Sequence, residues 1–276
     1  MEIPSSVLDI LHRALEEDIG PGDITTSLVI PEEHETKAHY IAKGNFLLAG
    51  LPFAEEVFRI IDHTISFTFF LCDGNIVRRR DVIAGVSGKT RSILHGERVS
   101  LNILQRLSGI ATVTNMFAEK IKGLKAKIVD TRKTSPCQRY MEKYAVRIGG
   151  GFNHRFGLFD GILIKDNHIK AAGNIKEAVQ RAKNGHHLTR IEVEVQNLHE
   201  LKEAIEAGAD VVMLDNMTIT DMKKAVRISD GRVLLEASGN VVLKNVRDIA
   251  ATGVDFISVG ALTHSAPSSD ISLKIV

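Results

Sequence analysis

Six short Val/Ile/Leu-rich runs between residues 127 and 261 lead into polar or charged residues, and amphipathic stretches lie between them. They are KIVDTRK (Lys127 to Lys133), GILIKDNH (Gly161 to His168), RIEVEV (Arg190 to Val195), VVMLDN (Val211 to Asn216), VLLEASGN (Val233 to Asn240) and FISVGA (Phe256 to Ala261). A continuous apolar run suits a strand buried on both faces, and strand followed by helix, repeated, implies a parallel sheet. In a closed α/β barrel the active site lies at the carboxyl ends of the strands. The pattern therefore predicts that Arg132, Lys133, Lys165, Glu194, Asp215 and Ser238 converge. Six strands are too few for a complete barrel, which usually takes ~250 residues, so an incomplete or compact one is expected. Two segments, Glu206 to Asn216 and Ala251 to Ala261, share a helix end, a Gly, an Asp and a buried strand, as stacked βα units do.

The first half of the chain is patterned differently. Apolar spacing at Val7, Leu8, Leu11, Ala14 and Leu15 predicts a helix over residues 5–17, capped by Ser5 and Ser6 and stopped by the GPGD turn. From Lys37 to about Thr90, short Ile/Phe/Val runs are split by KGN, CDGN and SGK, with one helix at Pro52 to Ile61. A long helix over Glu97 to Lys122 carries Leu101, Leu104, Leu107, Ala111 and Thr114 or Phe117 on one stripe. Further helices are expected near Pro136 to Val146, Ile175 to Lys183, His199 to Ala207, Thr220 to Ile228 and Leu243 to Ala251. The fold class is α/β: a small N-terminal α+β, sandwich-like domain with the linking helix over residues 1–112, and an incomplete or compact α/β barrel over 113–276. The C-terminal tail is free to pack back on the N-terminal domain.

Composition excludes several partner classes. A formal net charge of +1 without long basic blocks gives no global field for nucleic acid or an anionic membrane, so anion binding must be local. Cys72 and Cys137 stand far apart without CxxC spacing, which argues against a disulfide framework or a zinc site and suits a reducing cytoplasm. The first twenty residues lack a basic segment before an apolar core and do not read as a signal peptide. No apolar run approaches the ~20 residues of a membrane span.

The chemistry concentrates at the ends of the runs. TRKTSP places Thr131, Arg132, Lys133 and further hydroxyls directly after a strand, and Pro136 suits the opening of the next helix. A guanidinium can grip a carboxylate or phosphate through two parallel hydrogen bonds, and a lysine adds a compact charge. GGGFNHRFGL sets His154 and Arg155 beside three glycines, which would let backbone amides approach a ligand. Lys165 needs an anionic partner, either a ligand or a salt bridge to Glu194 or Asp215. Glu192 and Glu194 alternate with valines, so both carboxylates face one way and require cations or a metal; with Asp215 they could hold Mg²⁺ through oxygen. Simple charge balance is the competing account. EASGN and SVGALTHS put small residues at the last two strand ends, where barrels bind phosphate. Cys137 has no His near it in sequence and is assigned no catalytic role.

Taken together, EEDIGPGDITT, GERVSLN, SGIAT, TRKTSP, EKYAVRIGGGFNHRFGL, LIKDNHI, EVEV, LDNM, EASGN and TGVDFISVGALTHS resemble the quinolinate phosphoribosyltransferases, also called nicotinate-nucleotide pyrophosphorylases (carboxylating). The matches run from about Glu17 to Ser272; Cys137 and Gln138 depart from the Gly-Leu common in the family. The resemblance implies reaction of quinolinate with phosphoribosyl pyrophosphate and Mg²⁺, yielding nicotinate mononucleotide, pyrophosphate and carbon dioxide for NAD biosynthesis. It assigns the dicarboxylate to Arg98, Arg132, His154, Arg155 and Lys165, with Thr131 also binding substrate and Lys133 reaching the phosphoribosyl oxygens. Lys133, Glu194 and Asp215 would be catalytic, the two acids holding ribose hydroxyls and Mg²⁺, partly through water. Ser238, Gly239, Asn240, Gly260 and Ala261 would cradle the 5'-phosphate. Arg98 would enter the neighbour's site, so a homodimer with shared sites is implied, and no nucleic acid or membrane partner.

Other functions stay open at this level. Lys165 at a strand end could form a Schiff base, as barrel aldolases do. A sensor binding a phosphorylated metabolite, or a related transferase with another acceptor, would use similar residues.

Overall fold

A computed structural model describes residues 2–185 and 188–276. In chain order its elements are α1 (Ser5–Ile19), α2 (Ile24–Val29), β1 (Glu35–Ala42), β2 (Phe46–Leu47), α3 (Leu51–Ile61), β3 (Ser66–Phe69), β4 (Ile76–Val77), β5 (Val82–Lys89) and α4 (Thr90–Lys120). There follow β6 (Lys127–Val129), α5 (Arg139–Ile148), β7 (Ile162–Ile164), α6 (Asp166–Ala172), α7 (Ile175–Lys183), β8 (Ile191–Val195), α8 (Leu198–Ala207), β9 (Val211–Asp215), α9 (Ile219–Ser229), β10 (Leu234–Ser238), α10 (Val246–Ala250), β11 (Phe256–Ser258), α11 (Ala261–His264) and β12 (Ile271–Ile275). No helix among the described residues is long and apolar enough to cross a membrane.

They form two compact units, and neither is a single stretch of chain. One comprises Met1–Asn115, Thr134–Gly150 and Thr263–Val276, the other Met116–Lys133 and Gly151–Leu262. In the first, an antiparallel sheet of order β12-β1-β5-β3 carries the C-terminal strand on its edge, Tyr40 facing Leu273. Alternate residues of β1 face a core shared with α3 and α4, where Tyr40, Phe58, Ile83, Ile93 and Leu104 are fully buried. Each such side chain contributes about 1.5–3 kcal/mol on burial. The Tyr40 hydroxyl meets Ser100 Oγ at 2.6 Å, so its polar end is satisfied inside.

Several local expectations change. The N-cap position of α1 is Pro4, with no side-chain cap, and the serines lie within the helix. The GPGD turn leads into α2, capped by Asp23 accepting from Thr26 N–H at 2.9 Å. The linking helix starts at Thr90, seven residues before the expected Glu97. Within it, a Cβ on Gly96 would lie 2.6 Å from the Phe58 ring, so this glycine permits close packing with α3. Pro136 does not open α5. It occupies the second position of a turn closed by Gln138 N–H to Ser135 O (3.2 Å), and Cys137 takes the third at φ 63°, a place that favours glycine. Gly149 abuts α4, where a Cβ would fall 2.6 Å from Thr114 Cβ, so this glycine serves packing and not ligand approach.

The second unit holds six parallel strands in the order β6-β11-β10-β9-β8-β7, with a further parallel bridge from Val129 to Phe152. The barrel-like α/β architecture agrees with the six runs, although each strand is shorter than its run. The internal similarity has a mechanical meaning. Gly208 and Gly253 sit at positive φ (86° and 99°), and two residues on, Asp210 and Asp255 accept an N–H from the start of the neighbouring strand, Ile191 (2.7 Å) and Leu235 (2.9 Å). Helix starts use the expected chemistry: Asn174, Asn197 and Thr218 accept backbone N–H groups of α7, α8 and α9.

Candidate active site

The carboxyl ends of these strands enclose a cavity of about 380 Å³ lined by Thr131, Arg132, Lys133, His154, Arg155, Leu163, Lys165, Glu194, Met213, Asp215, Glu236, Ser238 and Ser258. Every strand-end residue expected to converge is on that wall. The reason is the parallel register: Glu194 is level with Met213 and Glu236, and Asp215 with Ser238 two residues on, so neighbouring strands deliver inward side chains to two adjacent layers at the same end.

Four cations and three carboxylates, Glu194, Asp215 and Glu236, line the cavity. Arg132, Lys133, Arg155 and Lys165 are the cations among them. Arg155 is held below the usual guanidinium range, first by burial and then by the charge of Arg132 beside it. One of its N–H groups reaches Gly161 O (2.9 Å), while its buried Nε has no acceptor among the described residues. Lys165 Nζ pairs with Glu194 Oε2 at 2.9 Å, one of the two salt bridges weighed from sequence.

Asp215 accepts from Asn216 Nδ2 (2.9 Å), and Asn216 Oδ1 in turn accepts from Asn240 Nδ2 (3.0 Å). Both asparagines adopt positive φ, 53° and 51°, and a Cβ on Gly239 would collide with the Asn216 amide. Asn216 thus ties the acid at the end of β9 to the small-residue loop after β10. Gly239, Asn240, Gly260 and Ala261 follow β10 and β11 beyond the residues that line the cavity. None of the three glycines at 149–151 lines it.

Two of the lining residues, His154 and Glu236, form a cluster with Glu192, and of the three only Glu236 was given no role from sequence. His154 Nε2 is 3.0 Å from Glu192 and 3.6 Å from Glu236. The tautomer follows from the other nitrogen: Nδ1 accepts the Arg155 backbone N–H at 2.8 Å, so Nε2 carries the hydrogen and directs it at the glutamates. The three ligand-capable atoms lie within 4.8 Å of one another, but this hydrogen is what holds them together. The Glu236 carboxyl is pushed up to about 8, first by burial and then by the charge of Glu192. A raised carboxyl pKa stabilises the fold fully below the 4.5 of a free Glu, and that contribution is lost as pH rises toward about 8. The melting temperature of the native protein minus that of Glu236→Gln should therefore fall between pH 5 and pH 8 in parallel thermal melts; a constant difference would refute the shift. Glu236 precedes Ser238 by two residues on one strand, so the alternation that paired Glu192 with Glu194 could have found it.

Comparison with known proteins agrees with this fold. The chain matches the family models "Quinolinate phosphoribosyl transferase, N-terminal domain" over residues 23–108 and "Quinolinate phosphoribosyl transferase, C-terminal domain" over 110–274. The chain belongs to the quinolinate phosphoribosyl transferase family. Within that family it is 43% identical over 267 residues to a probable nicotinate-nucleotide pyrophosphorylase [carboxylating] of Bacillus subtilis, covering 96% of this chain and 92% of that protein. A relative with the same description in Synechocystis is 44% identical over 96% of this chain and 91% of its own. The solved nicotinate-nucleotide pyrophosphorylase from Francisella tularensis superposes with a TM-score of 0.95 at 47% identity, covering 100% and 98% of the two chains. Of the residues that resemblance to this family assigns to substrate, Arg98 is set apart. It lines a different cavity of about 440 Å³ inside the first unit, with Glu17, Asp18, Asn102 and Arg106.

Proposed function

We propose that the chain transfers the phosphoribosyl group of phosphoribosyl pyrophosphate to quinolinate with decarboxylation, giving nicotinate mononucleotide, pyrophosphate and carbon dioxide. The observation that carries this is the crowding of Arg132, Lys133, Arg155 and Lys165 around one cavity, where burial and Arg132 depress Arg155. Such mutual repulsion is relieved by a doubly anionic ligand. Arg132, Arg155 and Lys165 grip the dicarboxylate beside His154; Thr131 and Lys133 meet phosphoribosyl oxygens. The loop of Ser238, Gly239 and Asn240, with Gly260 and Ala261, receives the 5'-phosphate.

Glu194 and Asp215 stabilise positive charge developing at the anomeric carbon as pyrophosphate leaves and the pyridine nitrogen attacks. The nitrogen becomes cationic, and the ring then accepts the electron pair left by the departing carboxylate. The donor set fits Mg²⁺: two carboxylates on adjacent strand ends offer hard oxygen ligands to an open cavity with room for retained waters. Glu194 and Asp215 would hold the ion, which would supply positive charge to offset that of the leaving pyrophosphate.

Arg98 supports the homodimeric reading, because it is exposed on the first unit and is not among the residues that line the barrel cavity, which leaves it for a partner's site. The free, exposed Cys72 and Cys137 suit a reducing cytoplasm. The Schiff-base alternative loses ground because Lys165 is ion-paired with Glu194.

Incubation of purified protein with quinolinate, phosphoribosyl pyrophosphate and Mg²⁺ should yield nicotinate mononucleotide, with little product from nicotinate and none after chelation of the metal. Product from nicotinate alone would overturn the acceptor.

A further inference from the structure

We propose that Asp130 and Glu192, neither of which lines the cavity, are positioning residues that aim Arg155 at the acceptor's carboxylates. The inference rests on the function proposed above and concerns how the anion grip is built. Asp130 follows β6 and is fully buried. Its Oδ1 accepts the His154 backbone N–H at 2.8 Å and its Oδ2 accepts Asn153 Nδ2 at 2.7 Å. Glu192 Oε2 takes the hydrogen on His154 Nε2, and the far ring nitrogen takes the Arg155 backbone N–H. Two successive peptide N–H groups and one ring are thereby fixed, from β6 on one side and β8 on the other. Arg155 leaves this support with its stem against Gly161, where a Cβ would lie 3.2 Å from Arg155 Cβ, and with its guanidinium on Gly161 O.

A free arginine samples many rotamers, and binding must order whichever the site needs. Buried carboxylates that hold the flanking backbone remove part of that cost before the ligand arrives. A fixed negative charge beneath the loop suits this task better than a neutral acceptor, because charge-assisted hydrogen bonds are shorter and stronger.

The test is steady-state kinetics on the full chain, varying quinolinate and phosphoribosyl pyrophosphate separately. Asp130→Asn and Glu192→Leu should raise the KM for quinolinate about tenfold and leave that for phosphoribosyl pyrophosphate within about twofold. Glu192→Gln, which keeps an acceptor for Nε2–H, should recover most of the loss. If a carboxylate variant fails to fold, the exposed Asn153→Ala carries the measurement, with an expected rise of about threefold. An unchanged quinolinate KM in folded Glu192→Leu or Asn153→Ala, or equal rises in both constants, would overturn the proposal. Native protein inert toward both substrates would instead remove the functional reading, and this one with it.

Discussion

Glu194→Ala is expected to lower turnover by about 10³-fold while the protein stays folded. The side chain stands at the end of β8, lines the cavity and pairs with Lys165 at 2.9 Å. In the proposed reaction the charge that most needs stabilisation is the positive charge growing on the ribose as pyrophosphate departs. A carboxylate held at the strand end meets that charge without reorganising, whereas alanine leaves Lys165 facing the same region with its cation unbalanced. The substitution thus removes an attraction and exposes a repulsion in the transition state, so the loss should appear in kcat more than in KM. Val193 and Val195, which hold β8 on the opposite face, are fully buried and untouched by the change. Turnover within a few-fold of the native protein, in a variant with an unaltered thermal melt, would contradict the role.

Glu142→Ala should cost about 3–5 kcal/mol of stability and lower the first thermal transition by on the order of 10 °C. Glu142 lies on α5 with a fully buried side chain. It accepts from Arg106 Nη2 (2.8 Å) and from Ser135 through both the backbone N–H (3.1 Å) and the hydroxyl (2.9 Å). Arg106, on α4, also donates to the carbonyls of Ala266 and Thr263. One buried carboxylate therefore satisfies α4, the turn before α5 and, through Arg106, the segment leading to the C-terminal strand. Truncation strands the guanidinium without its counter-charge, and that uncompensated burial is the main cost. Glu142→Gln, which retains an acceptor, should lose clearly less. Differential scanning calorimetry of both variants separates the outcomes, and equal stability of Glu142→Ala and native protein would show that the pair is dispensable.

The barrel-like half was legible because its signal is one-dimensional. Strands buried on both faces need uninterrupted apolar residues, and parallel connection through helices leaves each strand's carboxyl end at one rim. Arg132, Lys133, Lys165, Glu194, Asp215 and Ser238 could be placed together from that alone. Asp130 and Asn216 were not found because their importance lies in partners: a hydrogen bond from Asn153 and an amide from Asn240. Nothing in the residues immediately around Asp130 distinguishes a loop-holding carboxylate from an ordinary one. Gly149 misled for a related reason, since glycine reads as a ligand contact when its neighbour across the packing interface is unknown.

By itself, then, the sequence determined which segments of the barrel-like half are strands, which of their ends carry charge, and, through its motifs, the family. Those follow from periodicity and from local chemistry, which the chain carries in order. Only the tertiary structure decided which carboxylates face cations, which sit buried against a histidine, and which residues join the C-terminal strand to the first sheet. Those depend on distances between residues remote in sequence, and electrostatic energy and hydrogen bonding act only at close range.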